Sequence, residues 1–187
     1  VAHFARHYIP DGGIVYDIGA STGNVGRSIA GALEARGAAL IAIESSPDMA
    51  AKYAGPGRLV VADAMDFEFE EFDLAVCFLV MMFMPPWRRK SWLHNLSMKC
   101  RQGGAVILVD KVENPGGYFG TALARLTLAG KMATGTSPAD IIAKELSLSG
   151  VQRPLETGFV NFMMPGAANE FFRFGEFAGW VLESPRR

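Results

Sequence analysis

Short apolar runs alternate with helical patterns through the first 110 residues, and few folds accept that alternation. Residues 14–18, 39–44, 58–62, 74–79 and 105–110 read as strands. Helical segments fall between them at about residues 24–36, from Ser46 onward, and over residues 85–101. Repeated strand–helix–strand units build a parallel sheet with helices on both faces. Ser46 is placed to cap the helix that Pro47 opens. A further short helix is expected over residues 2–8, and Gln102-Gly103-Gly104 reads as the turn that ends the helix of residues 85–101. Beyond residue 113 the pattern is helical to about 148, with breaks at Pro115-Gly116-Gly117 and residues 134–138. Two strands, residues 171–174 and 177–182, then close the chain around a tight Gly175-Glu176 turn, and the tail from Ser184 is expected to fray. There is no repeat, linker or low-complexity segment. The expectation is one α/β domain over residues 1–187, its sheet Rossmann-like and mostly parallel, with a helical insert at about 113–149.

The most informative local segment runs from Val15 through Tyr16-Asp17-Ile18-Gly19-Ala20-Ser21-Thr22-Gly23 to Asn24. A strand feeds a glycine-bearing turn and then a helix, at the end of the sheet where open α/β folds place ligands. Gly19 and Gly23 tolerate positive φ and allow close approach to a ligand. Asp17 can accept hydrogen bonds from a ligand ammonium or from the turn's own amides. The spacing is not Gly-x-Gly-x-x-Gly, and no Lys-Ser or Lys-Thr follows, so neither a dinucleotide fingerprint nor a P-loop is present.

Glu44 ends the second strand, where a carboxylate can accept both hydroxyls of a ribose. The plainer alternative is a carboxylate at a helix N-terminus. Asp63 follows the third strand beside Ala64. A carboxylate with an adjacent amide suits the amine and a ring nitrogen of adenine, although a surface turn would look the same. Met49 could lie on the purine face or simply fill core. A polyphosphate would call for cations near the glycine turn, and the nearest is Arg27. A nucleoside with an amino-acid-like arm fits better, which points to S-adenosylmethionine.

Residues 14–110 resemble a class I S-adenosylmethionine-dependent methyltransferase. Val-Tyr-Asp-Ile-Gly-Ala-Ser-Thr-Gly is similar to that family's first motif, Ala-Ile-Glu-Ser-Ser-Pro-Asp-Met to its second, and Val-Ala-Asp-Ala to its adenine-binding third. Gly103-Gly104 resembles the entry into the fifth strand, and residues 171–180 resemble the family's closing antiparallel hairpin. The resemblance implies cofactor contacts from Asp17, Gly19, Ala20, Ser21, Gly23, Glu44, Ser45, Met49, Asp63, Ala64 and Phe78. S-adenosylhomocysteine would be the product.

The glycine turn, the Ile-Ala-Ile-Glu-Ser-Ser-Pro segment and the helical insert look more closely like the carboxy-S-adenosylmethionine synthases of tRNA wobble-uridine modification. In that subfamily an Arg on the insert's second helix holds the extra carboxylate. Here Glu145 stands at that place, beside Lys144, and Cys77 replaces an Asn at the end of the fourth strand. An acidic side chain cannot hold a carboxylate without an intervening cation, which argues against the carboxylated ligand. Residues 157–164, broken by Pro165-Gly166, stand where a longer helix is usual.

Methyl transfer from a sulfonium mainly requires alignment and exclusion of water. No Ser-His-Asp or Cys-His set is visible, and His3, His7 and His94 are scattered. Should an acceptor need deprotonation, Asp110, Lys111 and Tyr118 stand above the strand ends, with Arg173 and Glu176 farther off; no catalytic residue is assigned. The run Leu79-Val80-Met81-Met82-Phe83-Met84 could line an acceptor pocket or begin a buried helix. Cys77 and Cys100 lie far apart without a ligand pattern, so neither a metal site nor a disulfide is expected and a reducing cytoplasmic setting fits. The apolar run at residues 78–86 is too short to span a bilayer, and no signal peptide is visible. The formal net charge of −1 supplies no general field for nucleic acid, though a local patch would suffice for a tRNA acceptor. The acceptor, small molecule or tRNA, stays open, as does a homodimer. The chain starts at Val1 and not Met, which leaves open whether a segment precedes it. Methyl transfer is the leading reading. A carboxy-S-adenosylmethionine synthase and a non-catalytic cofactor-binding module are the alternatives.

Overall fold

Each inner strand is apolar on both sides, so the sheet must be covered on both faces. The computed structural model shows how, over residues 1–114, 116–163 and 168–184. The first half contains α1 (Ala2–His7), β1 (Ile14–Ile18), α2 (Asn24–Ala35), β2 (Ala39–Glu44), α3 (Pro47–Ala50), β3 (Arg58–Val61) and β4 (Phe72–Phe78). A 3₁₀ turn (Met81–Phe83), α4 (Pro86–Met98) and β5 (Cys100–Lys111) follow. The remainder is α5 (Gly117–Ala133), α6 (Pro138–Ser147), α7 (Phe159–Met163), β6 (Ala168–Phe174) and β7 (Phe177–Glu183).

The strands form one sheet in the order β3-β2-β1-β4-β5-β7-β6. Strands β1 to β5 pair in parallel, and β7 runs antiparallel to both β5 and β6. Tyr16, Ile18, Cys77, Val106 and Leu108 pack on one face with Trp92, Leu93 and Leu96 of α4. Val15, Val76 and Ile107 pack on the other with Ile29 and Leu33 of α2 and with Ala5 and Ile9. Helix α3 starts as its sequence dictates: Ser46 Oγ accepts the Met49 N–H at 3.3 Å, and Pro47 occupies the first turn. Among the described residues no helix is long and apolar enough to cross a membrane.

Gln102-Gly103-Gly104 belongs to β5, which begins at Cys100, rather than to a helix-ending turn. Gly103 bends the strand with φ +79°, and Gly104 lies so close to β4 that a Cβ there would sit 2.3 Å from the Asp73 carbonyl oxygen. The run after β4 forms the short 3₁₀ turn and not the start of a helix, because Pro85 and Pro86 delay α4. Helices α5 and α6 follow β5. Residues 151–155 then return to the sheet, where Leu155 bridges Val112 and its N–H donates to the Lys111 carbonyl. Expectations that fall on Pro115, on Met164 with the Pro165-Gly166 break, and on residues 185–187 lie outside the described residues.

Candidate active site

A cleft of about 790 Å3 opens at the carboxyl ends of β1, β2 and β4. One wall is the glycine turn, Gly19-Ala20-Ser21, with Asn24, Val25 and Ser28 of α2. Glu44, Ser45 and Met49 form the second, and Phe78, Leu79, Val80, Met82 and Phe83 the third. Lys144 of α6 and the chain's first residue, Val1, complete the rim. The volume lies in the range of ordinary small-molecule sites, and such sites favour the topological switch point of an α/β sheet.

The glycine turn is held by β2. The amides of Gly19 and Ala20 both donate to the Ile43 carbonyl, at 2.8 and 2.9 Å. Ser21 N–H donates to Glu44 Oε2 and Ser46 N–H to Glu44 Oε1, both at 2.8 Å. The buried Glu44 thus clamps two loops together. Each of its carboxyl oxygens keeps acceptor capacity beyond these bonds.

A family model described as a methyltransferase domain matches residues 15–104. The carboxy-S-adenosyl-L-methionine synthase of Shewanella pealeana is 31% identical over 163 residues, covering 82% of this chain and 67% of that protein. The chain belongs to the class I S-adenosylmethionine-dependent methyltransferases. It spans about two thirds of that relative's length. Two solved structures agree on the fold. A methyltransferase from Methanosarcina mazei superposes with TM-score 0.60 at 14% identity, covering 97% of this chain and 96% of its own. The magnesium protoporphyrin IX methyltransferase of Synechocystis, solved with S-adenosylhomocysteine, gives 0.60 at 15% identity, covering 97% and 78%.

In this methyltransferase Gly19, Ala20, Ser21, Glu44, Ser45, Met49 and Phe78 come together in one cleft. Asp17, Gly23, Asp63 and Ala64 do not line it. Asp17 is buried behind the glycine turn, where Oδ2 accepts the Gly26 N–H at 3.2 Å. Gly23 faces protein rather than ligand: a Cβ there would lie 2.5 Å from the Gly55 amide nitrogen. Asp63 is exposed and caps its own turn by accepting the Met65 N–H. The Ala64 carbonyl accepts Trp92 Nε1–H at 2.7 Å, which anchors the turn after β3 to α4.

The candidate bases are engaged elsewhere. Asp110 is fully buried and accepts the amides of Met81, Met82 and Lys111. Lys111 reaches Glu176 at 3.1 Å and Gln152 at 3.3 Å, and Glu176 also accepts from Asn114. Arg173 pairs with Glu170 through two bonds, and Tyr118 projects into solvent. Asp110 therefore holds the β4 exit turn and is not poised for proton transfer. Glu145 does not point a charge into the cleft either: Lys131 holds it at 2.7 Å. Its neighbour Lys144 is the side chain of that pair on the cleft rim. Arg89, also missed by sequence, is buried and donates to the carbonyls of Met84, Arg153 and Pro154, tying the return segment to α4. A lone Arg or Lys in a helix carries no signal of such a role.

Burial pushes the Asp17 carboxyl up to about 6; nearby Glu44 adds to this and the Gly26 N–H opposes it. Asp110 is likewise raised to about 6 by burial, against its amide bonds and Arg89. Both groups hold protons in the folded state that they have lost when unfolded, between about pH 4 and 6. Stability from this source is complete below about pH 4 and is lost as the pH rises through about 6. Between pH 5 and 7.5 the Asp17 share amounts to about 1 kcal/mol. Urea unfolding across that window should show stability falling with pH, and Asp17→Asn should flatten the slope. A wild-type curve that is level from pH 5 to 7.5 would refute the burial argument.

Proposed function

We propose that the cleft binds S-adenosylmethionine and that the chain transfers its methyl group to a small-molecule acceptor seated against Val80, Met82 and Phe83. The observation that carries this is the convergence of the glycine turn, Glu44-Ser45, Met49 and Phe78 on one cavity. The residues fit the cofactor. Glu44 has acceptor capacity left for ribose hydroxyls, Met49 and Phe78 offer apolar faces, and the glycine turn Gly19-Ala20-Ser21 carries no basic side chain for a phosphate. When bound, the cofactor supplies an electrophilic methyl on a sulfonium. The chain's part is to orient the acceptor and exclude water, which needs no base. A mostly apolar acceptor wall with one lysine suits a small molecule better than a polynucleotide. Asp63 and Ala64, beside the cleft, remain candidates for the adenine end, and Asp17 acts from behind the turn.

Calorimetry with S-adenosylmethionine and S-adenosylhomocysteine tests the reading; binding of neither would remove it. Within it, Glu44→Ala should weaken S-adenosylhomocysteine binding by roughly 1–3 kcal/mol, the range for leaving buried polar groups unpaired. Unchanged affinity would take Glu44 out of the ribose role.

One observation favours a second reading, a carboxylated cofactor. The cation that Glu145 lacks is present one residue earlier, as Lys144 on the cleft rim. Mass spectrometry of ligand released from the purified protein separates the two, since the carboxylated form is heavier. Residence in the cytoplasm and a single domain with α5–α6 as its insert belong to the same proposal. So does self-association through the exposed Phe119, Leu126 and Met132 of α5, which sedimentation equilibrium would read.

A further inference from the structure

Among the described residues only two that are not glycine have positive φ: Ser21 at 50° and Leu79 at 61°. Both line the same cleft, on facing walls. Leucine has neither the missing Cβ of glycine nor the short polar side chain that lets Asn or Asp adopt this region. Such a conformation persists only where the surroundings over-determine it, and it concentrates at functional sites.

The surroundings of Leu79 are specific. Its own N–H donates to the Val109 carbonyl at 2.8 Å, so the residue is still tied to β5 as the chain leaves β4. Two residues later the Met81 N–H is held by the buried Asp110 carboxylate at 2.7 Å. Between these two anchors the chain must reverse, and Leu79 takes the reversal. Val80 consequently lies on the bare backbone of the glycine turn: a Cβ on Gly19 would be 2.4 Å from Val80 Cγ2. Phe78, on the other side of the kink, also reaches the cleft.

We infer that Leu79 is a positioning residue, whose left-handed backbone sets the gap between the β4 exit and the glycine turn by aiming Phe78 and Val80 into the cleft. Its conformation carries the function and its side chain does not. The inference rests on the cofactor reading above.

Leu79→Ile keeps every atom of the side chain but moves the branch to Cβ, which excludes the left-handed region. Leu79→Asn and Leu79→Gly discard the apolar side chain and keep access to that region. The readout is the S-adenosylhomocysteine dissociation constant by calorimetry, with thermal melting recorded alongside to confirm folded protein. Leu79→Ile should raise the constant at least about tenfold, while Leu79→Asn and Leu79→Gly stay within about threefold of wild type, whatever their melting temperatures. A role in stability alone would shift melting and leave affinity untouched in all three. Wild-type affinity in Leu79→Ile overturns the inference, as does a tenfold loss in both Asn and Gly variants, which would make the side chain the contact. If Leu79→Ile does not fold, the Asn and Gly variants decide by the same criterion. A wild type that binds no cofactor removes the cofactor reading and this inference together; normal wild-type binding with the wrong variant pattern removes the inference alone.

Discussion

Asp110→Ala is expected to lower folding stability by roughly 3–5 kcal/mol, because it strands buried backbone donors at an estimated 1–3 kcal/mol each. Asp110 has no exposed surface, and its oxygens accept the amides of Met81, Met82 and Lys111. Asp110→Asn should cost much less, since an amide oxygen can serve the Met81 side and loss of the buried charge offsets the NH2 that opposes the Lys111 N–H. Chemical denaturation at pH 7.5 measures both. A catalytic base would behave otherwise: both variants would fold with near-normal stability and lose turnover alone. A loss under about 1 kcal/mol for Asp110→Ala would mean that water reaches these amides, and the structural assignment would fail.

Gly23→Ala is the second large effect, expected at roughly 2–4 kcal/mol of stability. Two separate costs combine. Gly23 has φ +86°, a region in which an alanine is strained by about 1–2 kcal/mol. Its new Cβ would also meet backbone: Gly55 N at 2.5 Å and Gly55 Cα at 2.7 Å, with the Tyr53 ring at 2.9 Å. Backbone cannot rotate aside as a flexible side chain would. Gly19→Ala carries the same backbone strain, with φ +69°, but its Cβ meets only the Val80 side chain. The two glycines of one motif should therefore separate in degree, Gly23→Ala costing more urea stability and Gly19→Ala adding a loss of ligand affinity. Equal stability losses in the two variants would contradict this division.

These two residues also show where reading along the chain stops being informative. Gly23 was legible as a glycine needing positive φ, but what approaches it, ligand or the Gly55 loop, depends on how residues 50–57 fold back. Asp110 was legible as a carboxylate above a strand end. Two of its three partners are amides about thirty residues earlier, and a backbone donor leaves no mark in sequence. Glu44 and the turn it serves could be paired from spacing alone, because both follow directly from strand ends. Leu79 gave no warning at all: leucine is the wrong residue for a left-handed conformation, so local propensity points away from the kink that tertiary anchors impose.

The amino-acid sequence by itself determined the order of strands and helices, the glycine turn, and the family, since strand periodicity, helix caps and motif spacing are local properties of the chain. Only the tertiary structure decided which motif residues face the cleft and which face protein, that Lys144 and not Glu145 reaches the rim, and that the glycine turn's first amides are spent on β2. Those outcomes depend on contacts between residues far apart in the chain, where packing space and unpaired backbone groups, not side-chain identity, choose the partner.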